Sequence, residues 1–297
     1  MKRFYKKVTV ENAEEFFIVT LDGKPLLTPG KKSLLLPNQQ LADKVASEWQ
    51  QQNELIQPPK MPNMSLASTA IDRVAPQRME VIDSIVAYGS TDLLCYRAFE
   101  PEELVDRQHR IWQPLLDWAK VTINAELLVT AGIMPLKQPD SSINAIRAKI
   151  IQYNSFSLVA LHELTSVSGS VIIGLAVIEG YINLDESIKA AQLDTLYQIE
   201  RWGEDPEVMS KLKNTKQEMS EASNFIALGL KDLFKYLRKF VVEKLNEETK
   251  KIYELLKPPD RDKAKVAKDA LVELIVCLFN KMIGNLKSLA GCILYTS

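Results

Sequence analysis

Cysteine and histidine are scarce in this chain of 297 residues, which contains three cysteines and two histidines. The cysteines, at Cys95, Cys277 and Cys292, are widely separated, so they form no dense disulfide framework and favour a reducing compartment. His109 and His162 are too few to supply a cluster of imidazole ligands. We therefore expect neither a metal site nor a bound cofactor.

Long apolar runs and a strong net charge are missing as well. The longest uncharged apolar run, around residues 171–178, is much shorter than the ~20 residues that a membrane-spanning helix needs. The formal net charge of -1 gives no general attraction to nucleic acid or to an acidic membrane. The sequence therefore predicts neither nucleic-acid binding nor stable membrane insertion.

The N-terminal part of the chain has a strand pattern. Residues 16–21 and 24–28 are apolar runs that flank Asp22 and Gly23. An Asp-Gly pair between two such runs predicts a tight hairpin, because both turn positions need a positive φ. Residues 33–36 predict a further strand.

The apolar period becomes helical at residue 38, which predicts a helix over residues 38–52. The proline-rich residues 56–62 cannot form a regular helix and are the best candidate for a connection between domains. Beyond them the pattern indicates helices separated by short loops. The sequence thus predicts an α+β fold in three parts: a small strand-rich N-terminal domain with one helix at 1–62, a helical domain at 63–228, and an extra helical extension at 229–297.

The extension at residues 229–297 has two apolar stripes at helical spacing, joined at Pro258-Pro259. It is also basic, because 14 lysines and arginines stand against 9 aspartates and glutamates from residue 231 onward. The plain interpretation is an amphipathic helical pair that adds structure. The alternative is a basic helix that lies on a membrane surface.

Residues 193–205 are the most informative segment. Helical spacing directs Leu193, Leu196 and Tyr197 inward, and Gly203 stands where a helix C-cap is expected. The segment therefore predicts an amphipathic helix that ends at a Trp-Gly pair and continues into acidic residues.

The polar side of this helix carries Asp194, Gln198 and Glu204, which the spacing directs outward. Carboxylates at a helix C-terminus are disfavoured by the helix dipole, so a solvated surface has little reason to collect them there. The plain alternative is a helix end whose charges simply point into water. We predict a partner-binding surface at these residues: Asp194, Gln198, Glu200, Trp202, Gly203, Glu204, Asp205 and Glu207.

Candidate catalytic residues are few. Cys95 lies on an apolar helical pattern and is expected to be a buried structural thiol. His109 is expected at the surface or the core edge, and Asp92 with Arg97 is expected to form an internal ion pair. No nucleophile is paired with a base, so we predict that the chain is not an enzyme. An enzyme of unknown type that uses these four residues is the alternative.

Short blocks that occur in a specific order carry a family resemblance. They include Arg3-Phe4-Tyr5-Lys6, Leu21-Asp22-Gly23-Lys24-Pro25, Glu48-Trp49, Thr69-Ala70-Ile71-Asp72-Arg73-Val74, Thr91-Asp92-Leu93-Leu94-Cys95-Tyr96-Arg97-Ala98, Pro114-Leu115-Leu116-Asp117-Trp118-Ala119 and Trp202-Gly203-Glu204-Asp205. Together they resemble the Atp-twelve-type assembly chaperones of the F-type ATP synthase. The resemblance covers residues 1 to about 228 and does not extend into the tail.

The resemblance implies a chaperone that binds the unassembled alpha subunit of the catalytic head, without nucleotide, and prevents its aggregation until it pairs with the beta subunit. It departs from the family at Thr195, where the family usually has a glutamate. The first residues lead directly into a strand pattern without a presequence. We therefore expect the bacterial cytoplasm, in an alphaproteobacterium, rather than the mitochondrial matrix.

Overall fold

The structure is a computed structural model that describes residues 1–132 and 136–228, which belong to one compact unit, Met1–Gly229. The predicted extension at 229–297, with its helical pair and its membrane-surface alternative, lies outside the described residues. The strands are β1 (Val8–Ala13), β2 (Phe16–Leu21), β3 (Lys24–Pro25), β4 (Tyr96–Arg97) and β5 (Thr130–Ala131). The predicted α+β fold is confirmed, with the longer strands near the N-terminus and helices after them.

Ten α-helices occupy most of the described chain. They are α1 (Gln39–Gln50), α2 (Pro62–Thr69), α3 (Arg78–Ala87), α4 (Glu102–Ile123), α5 (Asp140–Ile150), α6 (Ser155–Ser168), α7 (Val171–Ile178), α8 (Leu184–Ala191), α9 (Leu193–Trp202) and α10 (206–228). A short π-helix, Ala70–Val74, continues α2. Short 3₁₀ turns lie at Pro58–Lys60, Tyr88–Ser90 and Leu93–Cys95.

The predicted hairpin is confirmed. β1 and β2 pair antiparallel with Val10 opposite Val19, and β2 turns into β3 through Asp22 and Gly23. Both turn residues have a positive φ, 51° and 80°, as a two-residue turn of this kind requires. The Asp22 carboxylate also accepts hydrogen bonds from the backbone of Lys7 and its neighbour, which lowers its pKa.

The strand predicted at residues 33–36 is wrong. The chain there forms only isolated bridges, with Ser33 opposite Leu27 and Leu36 opposite Phe17. Leu34 and Leu36 are nonetheless buried, and their backbone N–H groups donate to the carbonyl oxygens of Leu26 and Phe17 at 3.4 Å and 2.9 Å. The apolar pattern of residues 33–36 correctly indicated that side chains there are buried. It could not show whether the backbone forms enough hydrogen bonds to be a strand.

The helix predicted over residues 38–52 is confirmed as α1, which packs against β1, β2 and α2. Asn38 caps its first turn by accepting a hydrogen bond from Leu41 N at 2.9 Å. Glu48 on α1 is buried, and its carboxylate accepts hydrogen bonds from the backbone N–H groups of Asn63 and Met64, both at 2.8 Å. Burial raises the pKa of Glu48. One carboxylate thus joins α1 to the start of α2.

Helices α6 and α7 approach each other closely at Gly174. Gly174 on α7 leaves so little room that an added Cβ would lie 2.9 Å from Thr165 Oγ1 and 3.0 Å from Leu161 Cδ1. Ser170 caps α7 by accepting a hydrogen bond from Ile173 N at 3.0 Å. This is the position at which only glycine permits the two helices to approach so closely.

The ion pair expected between Asp92 and Arg97 is wrong. Asp92 is completely buried and accepts hydrogen bonds from Leu94 N at 3.1 Å and from Ile172 N at 3.2 Å. Arg97 instead donates from Nε to the Leu94 carbonyl oxygen at 3.0 Å and lies over the ring of Trp112. The carboxylate is therefore held by backbone donors, and burial raises its pKa to about 6.

No helix in residues 1–132 and 136–228 combines the length and the apolar character that crossing a bilayer would require.

Candidate partner-binding site

The informative segment forms α9, and its predicted end is confirmed. Leu193 and Tyr197 are buried, Trp202 is the last helical residue, and Gly203 follows with φ at 88°. Gly203 N donates to the Ile199 carbonyl oxygen at 2.9 Å, which satisfies one of the last free acceptors of the helix.

A groove runs alongside α9, and we call it the aromatic groove. It is bounded by the segment from β4 to the start of α4, by the first turns of α4, by the residue after β5 and by one side of α9. Its volume is about 890 Å³, and its walls are Tyr96, Arg97, Ala98, Phe99, Glu100, Pro101, Leu104, Gln108, Gly132, Asp194, Tyr197, Gln198, Arg201 and Trp202.

Two aromatic side chains in this groove are unusually exposed. Phe99 is 72% exposed and Trp202 is 79% exposed, although both are large and apolar. They belong to different walls of the same groove, Phe99 after β4 and Trp202 at the end of α9. Exposed aromatic side chains that share one concavity are typical of a surface that another protein covers.

The floor of the groove is held by Gln108. This side chain is 1% exposed, and its Nε2 donates to Asp194 Oδ1 at 2.8 Å while its Oε1 accepts from Ala98 N at 2.8 Å. One amide on α4 therefore fixes both the β4 segment and α9. Because it is buried and uses both ends of its amide, it sets the distance between the walls.

Tyr197 is held between two arginines. The Cζ atoms of Arg107 and Arg201 lie 5.3 Å and 5.4 Å from its ring centroid. Arg107 forms an ion pair with Glu200 at 2.8 Å, and Arg201 forms one with Glu103. These pairs connect α4 to α9 and place fixed charges beside the groove.

Arg97 on β4 is a charged lining residue of the groove. It is half-buried, and burial lowers the pKa of its guanidinium. Its Cζ lies 5.7 Å from the ring centroid of Trp112, whose Nε1 donates to the Ala190 carbonyl oxygen at 2.8 Å. This arginine is therefore fixed by stacking and hydrogen bonding and is not free to swing into the groove.

The eight predicted partner-binding residues fall into two groups in the structure. Asp194, Gln198 and Trp202 line the groove, and the other five, Glu200, Gly203, Glu204, Asp205 and Glu207, lie at or beyond the exposed helix end. Within the described part of the chain, the side chains of Gln198, Glu204 and Glu207 make no hydrogen bond or ion pair.

Three of the predicted residues already have partners inside the chain. Asp194, which the spacing directed outward, is half-buried because Gln108 donates to it. Glu200 is paired with Arg107. Asp205 caps α10, since its Oδ1 accepts from Glu207 N at 2.8 Å and from the next backbone N–H.

Phe99 is the functional candidate that the sequence analysis missed. It is 103 positions from Trp202 in the chain, so no local pattern connects the two. The available signal was an aromatic residue immediately before the glutamate-rich residues 100–103, in a loop that gives it few apolar neighbours along the chain.

The four residues of the enzyme alternative do not converge on one concavity. Asp92 and Cys95 are completely buried, His109 is exposed on α4, and only Arg97 lines the aromatic groove. Burial also raises the pKa of the Cys95 thiol to about 12, so it is not an activated nucleophile. In residues 1–132 and 136–228, no group of three or more His, Cys, Asp or Glu side chains is placed to hold a metal ion.

The fold is α+β, and its open, aromatic groove rimmed by charge is typical of proteins that bind another protein. Comparison with known proteins specifies this class further. Residues 2–120 match the family model described as ATP12 chaperone protein. The structure of Atp12 from Paracoccus denitrificans is 40% identical, with a TM-score of 0.74, and the match covers 76% of this chain and 97% of that one.

Two further relatives agree. The Atu1473 protein from Agrobacterium tumefaciens is 42% identical, with a TM-score of 0.72, over 76% of this chain and 85% of that one. The mitochondrial protein atp12 of Schizosaccharomyces pombe is 26% identical over an alignment of 214 residues, and the match covers 68% of this chain and 74% of that protein. This chain therefore belongs to the ATP12 chaperone family, whose members are assembly chaperones of ATP synthase.

Proposed function

We propose that this protein binds the unassembled alpha subunit of the F-type ATP synthase and holds it until it pairs with the beta subunit. Membership of the ATP12 chaperone family supports an ATP synthase subunit as the partner. The alpha subunit is the partner that the resemblance to the Atp-twelve-type assembly chaperones implies. The aromatic groove is the surface that we assign to this contact.

The exposure of Phe99 and Trp202 in one groove is the observation that carries the proposal. Subunit interfaces are apolar at their centres, and an unassembled subunit exposes such a surface to self-association. Rigid aromatic side chains bury a large area at a small entropic cost, so they commonly dominate the energy of an interface. In this protein they already stand exposed at 72% and 79% and do not have to leave a core to reach a client.

The exposed polar residues beside the groove have a different role. Glu204 and Glu207 are exposed carboxylates between the end of α9 and the first turn of α10, and Gln198 is an exposed neutral amide on α9. We assign the two carboxylates to steering of the client, because exposed charges change association rates and register more than they change total affinity, and we assign Gln198 to its alignment by hydrogen bonding. The set proposed as the partner surface remains the eight residues predicted from sequence, with Phe99 added.

The proposed action is non-enzymatic. A chaperone that covers an interface stabilises the free subunit by mass action and needs no nucleotide. It releases its client when the beta subunit competes for the same surface with a larger buried area. The proposed location is the bacterial cytoplasm, and the solved relatives from Paracoccus denitrificans and Agrobacterium tumefaciens are consistent with a bacterial protein of this family.

Aggregation of purified alpha subunit, followed by light scattering, tests this function. At equimolar chaperone and without nucleotide, we expect the scattering to be suppressed. Serum albumin at the same mass concentration is the control for non-specific crowding. A requirement for ATP, or suppression no greater than that by albumin, would show that the proposed function is wrong.

A further inference from the structure

The two arginines that line the aromatic groove already have partners inside the chain. Arg201 forms an ion pair with Glu103. Arg97 donates from Nε to the Leu94 carbonyl oxygen at 3.0 Å and from Nη2 to Gln113 Oε1 at 3.3 Å. Both guanidinium groups are therefore engaged by the walls of the groove, and neither needs an acceptor from a bound client.

The two carboxylates that line the groove have no cationic partner within the described residues. Asp194 accepts a hydrogen bond from Gln108, whose amide is neutral. Glu100 is exposed, and across residues 1–132 and 136–228 its side chain makes neither a hydrogen bond nor an ion pair. A positively charged donor is the group that these carboxylates lack, and a client is able to supply it.

Exposed aromatic rings stand next to carboxylates on both walls. Phe99 immediately precedes Glu100 on the wall after β4. Trp202 ends α9 on the other wall, and the exposed Glu204 follows it after one glycine. Aromatic faces attract cations, tryptophan most strongly, and a carboxylate adds charge-assisted hydrogen bonds. Arginine matches this combination best, because its planar guanidinium both stacks on aromatic rings and donates to carboxylates.

We propose that the aromatic groove binds an arginine side chain of the client. Its guanidinium contacts the exposed rings of Phe99 and Trp202 and donates hydrogen bonds to the Glu100 carboxylate. A purely apolar occupant is a poorer match, because it would cover Glu100 and Asp194 without replacing the water that solvates their charges. This inference rests on the proposed function only for the identity of the client, and it adds the side-chain chemistry that the groove selects.

Titration of the full chain with short peptides tests this selection without the alpha subunit. The probes are acetyl-Leu-Arg-Leu-amide, the same peptide with citrulline, which is neutral and similar in shape, and the same peptide with glutamate. NMR follows the indole N–H signal of Trp202, which is assigned by its loss in Trp202→Phe. We expect the arginine peptide to shift this signal and to bind at least about fivefold more tightly than the other two. No shift, equal affinities for arginine and citrulline, or tighter binding of glutamate would overturn the inference.

Glu100→Gln tests the carboxylate, because it removes the charge and keeps the size of the side chain. We expect this variant to bind the arginine peptide about threefold more weakly and the citrulline peptide unchanged. Asp106→Asn is the matched control, since Asp106 is exposed on α4, does not line the groove and removes the same charge. Equal effects of the two substitutions would show that Glu100 does not contact the arginine. If the peptides show the expected selection but alpha subunit does not bind, the proposed function fails and this inference does not.

Discussion

Gln108 on α4 donates a hydrogen bond to Asp194 on α9 at 2.8 Å, although 86 positions separate them in the chain. The same amide accepts from Ala98 N, so a single side chain connects three segments around the aromatic groove. This arrangement explains why Asp194 is half-buried, and it makes the groove a preformed feature of the fold. A preformed surface loses less entropy on binding than one that must be ordered by its client.

Gln108→Leu is expected to lower the free energy of unfolding by about 2 kcal/mol, because it leaves Asp194 and the Ala98 N–H without their buried partner. Urea denaturation measures this change. Gln217→Leu is the matched control, since Gln217 is an exposed helical glutamine, and it should change stability by less than about 0.5 kcal/mol. Equal effects of the two substitutions would show that the Gln108 bridge does not hold the groove.

The raised pKa of Asp92 implies that this carboxyl group lowers the free energy of unfolding as pH rises, which is opposite to the effect of most carboxylates. Burial raises its pKa to about 6 in the folded protein, above the value of about 3.9 for an unfolded chain. Between pH 4 and pH 6 the folded state therefore binds more protons than the unfolded state, and this group contributes less stability as pH rises. Asn at this position cannot titrate.

The stability advantage of the unmodified protein over Asp92→Asn is thus expected to shrink by about 2 kcal/mol from pH 4 to pH 6. Urea denaturation at half-unit pH steps measures the difference, and comparison with the variant cancels the other carboxylates. An advantage that is constant, or that grows with pH, would contradict a buried carboxyl group with a raised pKa.

Substitutions of Glu204 and Asp205 are expected to affect different properties, association with the client for Glu204 and stability for Asp205. Asp205→Ala should cost about 1 kcal/mol of stability because it removes the cap of α10, whereas Asp205→Asn keeps an acceptor and should cost much less. Glu204→Lys should leave stability nearly unchanged and slow the association with alpha subunit. Thermal denaturation and stopped-flow association rates give the two measurements. A large loss of melting temperature in Glu204→Lys would mark that residue as structural.

A chain that ends at Leu228 is expected to keep both its cooperative unfolding transition and its binding of alpha subunit. The family resemblance covers this part, and Asn38 Nδ2 donates to the Leu228 carbonyl oxygen at 3.1 Å, so the end of α10 is fastened to the N-terminal part. Calorimetry and a pull-down compare it with the full chain. Failure to fold, or failure to capture alpha subunit, would show that residues 229–297 are required for folding or for client binding.

The features that the sequence predicted correctly depend on neighbouring residues. The Asp22-Gly23 turn, the helix that begins after Asn38 and the end of α9 at Gly203 are each set by backbone preferences within a few positions. Asp205 was recognisable by the same reasoning. An aspartate followed by a proline is typical of a helix start, and here α10 begins at Pro206.

The features that the sequence did not reveal depend on contacts between distant segments. Phe99 and Trp202 share a groove only because α4, β4 and α9 pack together. Asp92 was expected to pair with Arg97, but the N-terminus of α7 brings a backbone donor, Ile172 N, to its carboxylate. Local spacing contains no information about which distant donor reaches a buried acceptor.

We expect Phe99 and Trp202 to bind the client directly. Because both side chains are exposed, Trp202→Ala and the double variant Phe99→Ala/Trp202→Ala should keep the melting temperature of the unmodified protein. Val121→Ala is the matched control, since Val121 is 81% exposed on α4 and does not line the groove.

Equilibrium titration of labelled alpha subunit with these variants is the most direct measurement. We expect at least a tenfold weaker affinity for Trp202→Ala, a further loss for the double variant, and a change of less than about twofold for Val121→Ala. Equal affinities for the double variant and the unmodified protein would show that these two aromatic side chains do not bind the client.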